Sequence, residues 1–237
     1  DNTLSIIQEF KSSKIKVYLN NENRGIAYST NRAISKSKGK YIAFLDDDDI
    51  ALSRRLEWQV TFLEEHEEID ILGGRSALID KNGKFIRYDK EPIYNPKFIK
   101  ANLLFYNKKF ANCTAMIRRS FIERYNLKYQ ENCLGMQDFK FYIDSSKVGA
   151  MTSIDYLIHL KRIHDEEVTV LSQKIYAEER KKLHAQFQRE SLAKSGFLLK
   201  EEDLRTINEI MTELPKKNYS IEEMEKLYAV FKEIIWQ

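Results

Sequence analysis

Cysteine is nearly absent: the 237 residues hold two, Cys113 and Cys133. Their separation is not that of a zinc site, and two are too few for a disulfide framework, so a reducing, cytoplasmic setting is the expectation. Long apolar runs are missing too. No stretch of about 18 apolar residues occurs, so the sequence offers no membrane-spanning helix. Its first residues show no charged-then-apolar pattern. Positive charge is not in excess: Lys plus Arg is 39, Asp plus Glu is 36, and the formal charge is +3. That balance argues against a dedicated nucleic-acid binder. Glycine (8) and proline (3) are scarce, and no low-complexity segment or internal repeat is found. What is present is 43% hydrophobic, enough for one substantial core with an appendage.

Apolar periodicity orders the chain. The opening "DNTLSIIQEFKSS" reads as a helix with Leu4, Ile7 and Phe10 on one face. "KIKVYLN" alternates like a strand. A short helix is predicted from Ile26 to Ser37, and "YIAFLD" is a continuous apolar run that suits a buried strand. Ser53 is placed to cap a helix whose buried stripe is Leu56, Val60 and Leu63. "IDILGG" reads as a strand, and "SALIDKNGKFIRYD" as a hairpin turning at Asn82-Gly83. Further on, "NCTAMI" and "MTSIDYLIHLKRIH" read as strands, while "RRSFIERYN" and "QDFKFYIDSSKVG" read as helices. Alternation of helix and strand implies an α/β protein with a mostly parallel sheet and helices on both faces. From about Thr169 three amphipathic helical patterns follow, the last opening with Ser220 and Glu223 in capping-box spacing.

Four consecutive aspartates, Asp46 to Asp49, follow the apolar run of "YIAFLDDDDI". In an open α/β sheet, ligands bind beyond the carboxyl ends of the strands. Clustered carboxylates raise one another's pKa unless a cation neutralises them, and a hard divalent ion with oxygen ligands does so while keeping positions for phosphates. Alternate residues of an extended segment point the same way, so Asp46 and Asp48 could converge on one ligand. The plainer alternative is an acidic loop facing water.

The segments "DNTLSIIQEF", "NENRGIAYSTNRAISKSKGKYIAFLDDDDI", "RLEWQVTFLEEHEEIDILGG" and "DKNG" follow one another as in the family 2 glycosyltransferases, which this chain resembles from its start to about Ser172. The resemblance implies the GT-A (nucleotide-diphospho-sugar transferase) fold and an inverting hexosyl- or N-acetylhexosaminyltransferase dependent on Mn²⁺ or Mg²⁺. It implies a catalytic domain over 1–170, lacking roughly its first 40 residues of nucleotide-binding fold, and a helical region over 171–237. Matched by position, Asp48 and His164 become metal ligands. Asn23, Gly25, Asn31, Asp46, Asp47 and Arg162 become donor-binding residues. Asp138 becomes the catalytic base, with Gln137 beside it where relatives usually carry glutamate. Gln137, Asn112 and Thr114 fall on the acceptor side, with Arg118 a further candidate; Asp49 helps to orient the site, and His159, His66 and His184 are read as structural.

The resemblance further implies a nucleotide-sugar donor, most simply a UDP-sugar, and a glycan or lipid-linked acceptor of a bacterial surface polysaccharide. A basic surface around Lys181, Lys182 and Arg189 suggests peripheral membrane association at the inner face, against the simpler expectation that these helices pack on the catalytic domain or on a second subunit as a homodimer. Two other classes stay open: a sugar nucleotidyltransferase on a related fold, and a non-catalytic metal-binding module. An EF-hand is excluded, because counting from Asp46 position 6, where the loop needs glycine, holds Ala51, although position 12 holds Glu57.

Overall fold

The computed structural model describes residues 2–89, 91–105, 110–164, 168–197, 199–205, 222 and 225. A sheet of β1 (Tyr41–Ala43), β2 (Ile50–Ala51), β3 (Ile71–Ile79), β4 (Phe85–Tyr88), β5 (Met116–Arg118) and β6 (Met151–Arg162) runs in the order β1-β5-β3-β6-β2, with β4 pairing β3 outside that path. Only β3 and β6 are hydrogen-bonded in parallel; the other described pairs are antiparallel. The expectation of a mostly parallel sheet is corrected to a mixed one. The cause is β5, a three-residue strand inserted head-to-tail between β1 and β3. Two antiparallel steps restore direction, so β1, β3 and β6 point the same way and their carboxyl ends share one edge.

Both faces of the sheet are covered, as expected. Ile71 and Leu72 are adjacent and point to opposite faces, as do Met116 and Ile117. One face, with Leu72, Met116, Ile154 and Ile158, packs on α3 (Arg55–Glu65) through Leu63. The other, with Ile42, Ile71 and Ile117, packs on α2 (Gly25–Lys36), α4 (Pro96–Phe105), α5 (Arg119–Tyr125) and α6 (Gln137–Ser145). Each fully buried Leu or Ile here contributes roughly 1.5–3 kcal/mol.

Several local expectations change. Ser53 does not cap α3, whose N-terminal flank is Arg54 without a side-chain cap. Leu56 is exposed, and the buried stripe is Arg55, Gln59 and Leu63, at helical spacing but polar in two of its members. Arg55 donates to the Phe44 carbonyl at 2.7 Å and to Gln59 Oε1 at 3.0 Å, and Gln59 donates to the Leu72 and Thr114 carbonyls. The polar stripe thus ties the end of β1 to β3 and to the turn before β5. "KIKVYLN" is not a strand: among the described residues no strand pairs with it, and Ile15, Val17 and Leu19 are exposed. No residue of α1 (Thr3–Glu9) is buried.

The C-terminal part is α7 (Val168–Ile175), α8 (Ala177–Lys194) and a helical turn at 201–205. The capping box of Ser220 and Glu223 lies outside the described residues, and of the expected last helix only Glu222 and Glu225 are described, both helical. Phe187 and Leu183 of α8 join the same core as α6, so α8 is not an appendage with a core of its own. Its buried face is thereby occupied, and Lys181, Lys182 and Arg189 lie on its exposed side. No described helix is long and apolar enough to cross a membrane. His184 stacks on Phe139 of α6 at 5.0 Å. Burial, with the nearby Arg180 charge, pushes its pKa down from 6.5 to about 4, against a hydrogen bond with Gln188 that favours the protonated ring.

Two outcomes follow for stability. Arg55→Met leaves buried carbonyls without their donor and is expected to cost about 1–3 kcal/mol in urea unfolding. For His184, the unfolded chain takes up its proton near pH 6.5 and the folded chain only near pH 4. The group's contribution is therefore intact above pH 6.5 and declines as pH falls through that window. His184→Gln should flatten this part of the stability profile; an identical slope in the variant would remove His184 from the account.

Candidate active site

The shared carboxyl edge of β1, β3 and β6 gathers the aspartates, the turn at 80–84 and the residues after β6. Asp46–Asp49 do not continue β1 as an extended segment; they form a turn in which the Asp49 amide donates to the Asp46 carbonyl at 3.3 Å. Asp46 and Asp48 are brought together by this turn, not by strand alternation. Asp49 closes it. Its carboxylate accepts from His159 Nε2 at 2.8 Å and from the Arg162 backbone amide at 2.8 Å, and its side chain is 2% exposed. Burial alone would raise the Asp49 pKa, but the His159 and Arg162 hydrogen bonds overcome it and hold the carboxyl below its usual range. On the other side of the ring, His159 Nδ1 lies 2.8 Å from Ser76 Oγ on β3. The ring is thus held between Asp49 on one side and Ser76 on the other.

Asp48 and His164 meet at 2.7 Å, both partly open to solvent. Asp46 sits above the usual carboxylate range, first because surrounding protein removes water and then because Asp49 and Asp48 repel its charge; His159 and Lys161 oppose the shift. Asp47 is exposed. A separate trio, Asp49, Cys113 and His159, has ligand atoms within 4.8 Å of one another. Its members are already tied together by the hydrogen bonds above, with Cys113 Sγ 3.7 Å from His159 Nδ1, and burial pushes the Cys113 thiol far up. The metal expectation therefore stays with Asp48 and His164.

Asp138 stands in the first turn of α6, and its Oδ1 accepts from the Phe139 amide at 2.7 Å. Burial raises its pKa, against that hydrogen bond and the positive charge of Arg180. The Tyr129 phenol is pushed well up by burial first, and further by the charges of Asp138 and Asp46. Tyr129 and Tyr142 each donate to Asn112 Oδ1 at 2.8 Å, which fixes that amide beside them. Gln137 is half-buried at the start of α6.

Four expected contacts are corrected. Asn31 holds the Tyr129 backbone with both ends of its amide, at 2.7 and 2.9 Å, and so positions Tyr129 instead of facing a donor. Arg162 directs its guanidinium to the carbonyls of Asp48, Asp80 and Lys81, bracing the aspartate turn against the β3–β4 turn. Thr114 is 1% exposed with its hydroxyl on the Ala111 carbonyl, so it cannot line an acceptor surface. Arg118 lies beside Tyr41, at the other end of β1, and binds the carbonyls of Leu63, His66 and Ile69. Asn23 accepts from the Gly25 amide at 3.0 Å, and Gly25 has φ +80° with no atom within 4 Å of where a Cβ would stand. That pair shapes an open entry to α2. Sequence patterns gave no signal for Lys161, Tyr129 and Tyr142, or for the tether from His159.

Comparison with known proteins places this geometry. Residues 1–125 match the family described as Glycosyl transferase family 2. An uncharacterized glycosyltransferase of Methanocaldococcus jannaschii, MJ1057, is 36% identical over 140 residues, covering 58% of this chain and 47% of that protein. WfgD of Escherichia coli, a UDP-Glc:alpha-D-GlcNAc-diphosphoundecaprenol beta-1,3-glucosyltransferase, is 26% identical over 163 residues, 65% of this chain and 57% of that one. The chain thus spans about half the length of these relatives. Among solved structures, S. aureus TarS 1–349 in complex with UDP-GlcNAc aligns with a TM-score of 0.63 at 16% identity, over 97% of this chain and 67% of that chain. The mannosyltransferase PcManGT of Pyrobaculum calidifontis, in complex with GDP-Man and Mn²⁺, aligns at 0.53 and 13% identity, over 100% of this chain and 62% of that one. These likenesses establish the GT-A fold. With more than half of its residues matched by the family as a whole, the chain belongs to glycosyl transferase family 2.

Proposed function

We propose that this chain carries the catalytic site of an inverting, metal-dependent glycosyltransferase. Its donor is a UDP-sugar and its acceptor a glycan or lipid-linked saccharide in cell-surface polysaccharide synthesis. The observation that carries the reading is the meeting of Asp48 and His164 at 2.7 Å beside the aspartate turn, together with a lone carboxyl, Asp138, raised by burial in the first turn of α6. The donor and acceptor classes are supported by the UDP-GlcNAc bound to TarS and by the substrates in the name of WfgD.

Asp48 and His164 fit a divalent cation. They offer a carboxylate oxygen and an imidazole nitrogen 2.7 Å apart and partly open to solvent, while Asp46 beside them has a charge that its neighbours disfavour. Bound there, Mn²⁺ or Mg²⁺ would neutralise charge that develops on the leaving diphosphate. The Asp46–Asp49 turn and the entry at Asn23 and Gly25 hold the donor, and Asn112 and Gln137 face the acceptor. Asp138 Oδ1 is engaged by the Phe139 amide, which leaves Oδ2 to take the proton of the acceptor hydroxyl. The acceptor oxygen bonds to the anomeric carbon as the bond from that carbon to the diphosphate oxygen breaks. The nucleoside diphosphate leaves with the electron pair on the opposite face. A raised pKa makes Asp138 a stronger base than an ordinary aspartate, and the acid limb of the rate profile should follow that raised value.

Asp138→Asn is expected to lower kcat by about 10²- to 10⁴-fold, with UDP-sugar binding retained in calorimetry. Unchanged turnover would remove Asp138 from the chemistry. Asp48→Ala should weaken UDP-sugar binding in Mn²⁺ while leaving the thermal midpoint nearly unchanged, because the side chain is partly exposed; equal affinity in both proteins would overturn the metal assignment.

A further inference from the structure

Arg180, on α8, lies far along the chain from the segment that delivers Asp138. Its Nη1 donates to the Leu134 carbonyl and, at 2.9 Å, to Ser172 Oγ of α7. The segment it grips is unusual. Asn132, Leu134 and Gly135 all have positive φ, at 62°, 49° and 77°, a conformation that a leucine seldom adopts. A Cβ at Gly135 would lie 2.7 Å from Ser172 Oγ and 2.9 Å from Arg180 Nη1. The glycine is therefore needed twice, for its backbone angle and for the close approach of α7 and α8. Immediately afterwards Met136 flanks α6, its amide on the Cys133 carbonyl at 2.8 Å, and Asp138 follows in the first turn. One turn along α8, His184 stacks on Phe139. Two α8 side chains thus hold the segments on both sides of Asp138.

We infer that Arg180 is a positioning residue for the catalytic base: it locks the left-handed 132–135 loop from α8 and so sets where the Asp138 carboxyl stands. The inference rests on the role proposed for Asp138. It gives the C-terminal helix a part in the active site that neither its amphipathic pattern nor its packing alone implies. The charge of Arg180 also acts on Asp138 in the direction opposite to burial. The other groups around that carboxyl are the phenols of Tyr129 and Tyr142 and the Cys133 thiol.

The experiment uses the full chain. Hydrogen exchange is followed over residues 132–139, and the Asp138 carboxyl is titrated by ¹³C NMR, its resonance assigned through Asp138→Asn. In Arg180→Gln, exchange over 132–139 should rise more than about tenfold, the size of one lost charge-assisted hydrogen bond, with β3 and β6 unaffected, and the Asp138 midpoint should move up. Arg180→Lys keeps the charge, so the midpoint should stay near the original while exchange remains fast. Gly135→Ala should speed exchange with Arg180 still present. In assays that release UDP from UDP-GlcNAc, Arg180→Gln should lower kcat more than it changes KM. Unchanged exchange in both Arg180→Lys and Gly135→Ala would overturn the inference even if Arg180→Gln does not fold, and so would an unmoved Asp138 midpoint in a folded Arg180→Gln. These readouts need no turnover. Failure of the glycosyl-transfer reading would instead appear as an Asp138→Asn protein with unaltered UDP release.

Discussion

The arrangement depends on the buried hydrogen bond between His159 and Asp49. Four neighbouring carboxylates repel one another, and a turn that crowds them needs one of those charges compensated by donors from outside the turn. Asp49 is that charge: burial disfavours it, but the imidazole and the Arg162 amide compensate and hold it ionised inside the sheet edge. His159 is fixed in turn by Ser76, so β3 and β6 both determine where the turn ends. Arg162 adds a brace from the same strand to the Asp48 carbonyl. Asp46 and Asp48 are then presented by a frame whose other members are already satisfied.

The same division between holding and presenting recurs on the opposite side of the site. Asn31 of α2 clamps the Tyr129 backbone, Tyr129 stacks on Phe141 at 4.2 Å, and its phenol joins that of Tyr142 on Asn112. Each link joins elements distant in sequence, as the 98 residues from Asn31 to Tyr129 illustrate. α8 belongs to this frame and not to a separate unit, because Phe187 shares a core with Tyr129 and Phe139.

How much of this was legible in the sequence depends on whether the signal was local. The helix over 25–36, the Asn82-Gly83 hairpin and the long β6 were readable from periodicity and turn chemistry, which act over a few residues. The meeting of Asp48 with His164 was readable only through family resemblance, since 116 residues separate them. Arg162, Asn31 and Thr114 were assigned to ligands because their chemistry suits ligands; which of them meets a backbone carbonyl is settled by tertiary packing. Arg55 and Gln59 show the same limit. Sequence alone reads the stripe as Leu56, Val60 and Leu63 because Arg55 and Gln59 are polar, yet carbonyls from β3 and the end of β1 converge on these two and bury them.

Electrostatics separates the residues that hold from those that act. Asp49 is held below the ordinary carboxylate range because its hydrogen-bond acceptors are occupied by donors from the frame. Asp46 and Asp138 are both raised, each mainly by loss of water that the frame does not replace. A carboxyl in that condition gains from an incoming positive partner: a cation can neutralise Asp46, and a proton can neutralise Asp138. Burial also suppresses the ionisation of Tyr129, so its phenol stays a neutral hydrogen-bond donor, directed at Asn112. The frame therefore satisfies Asp49 fully and leaves the charges of Asp46 and Asp138 less favoured than that of an ordinary aspartate.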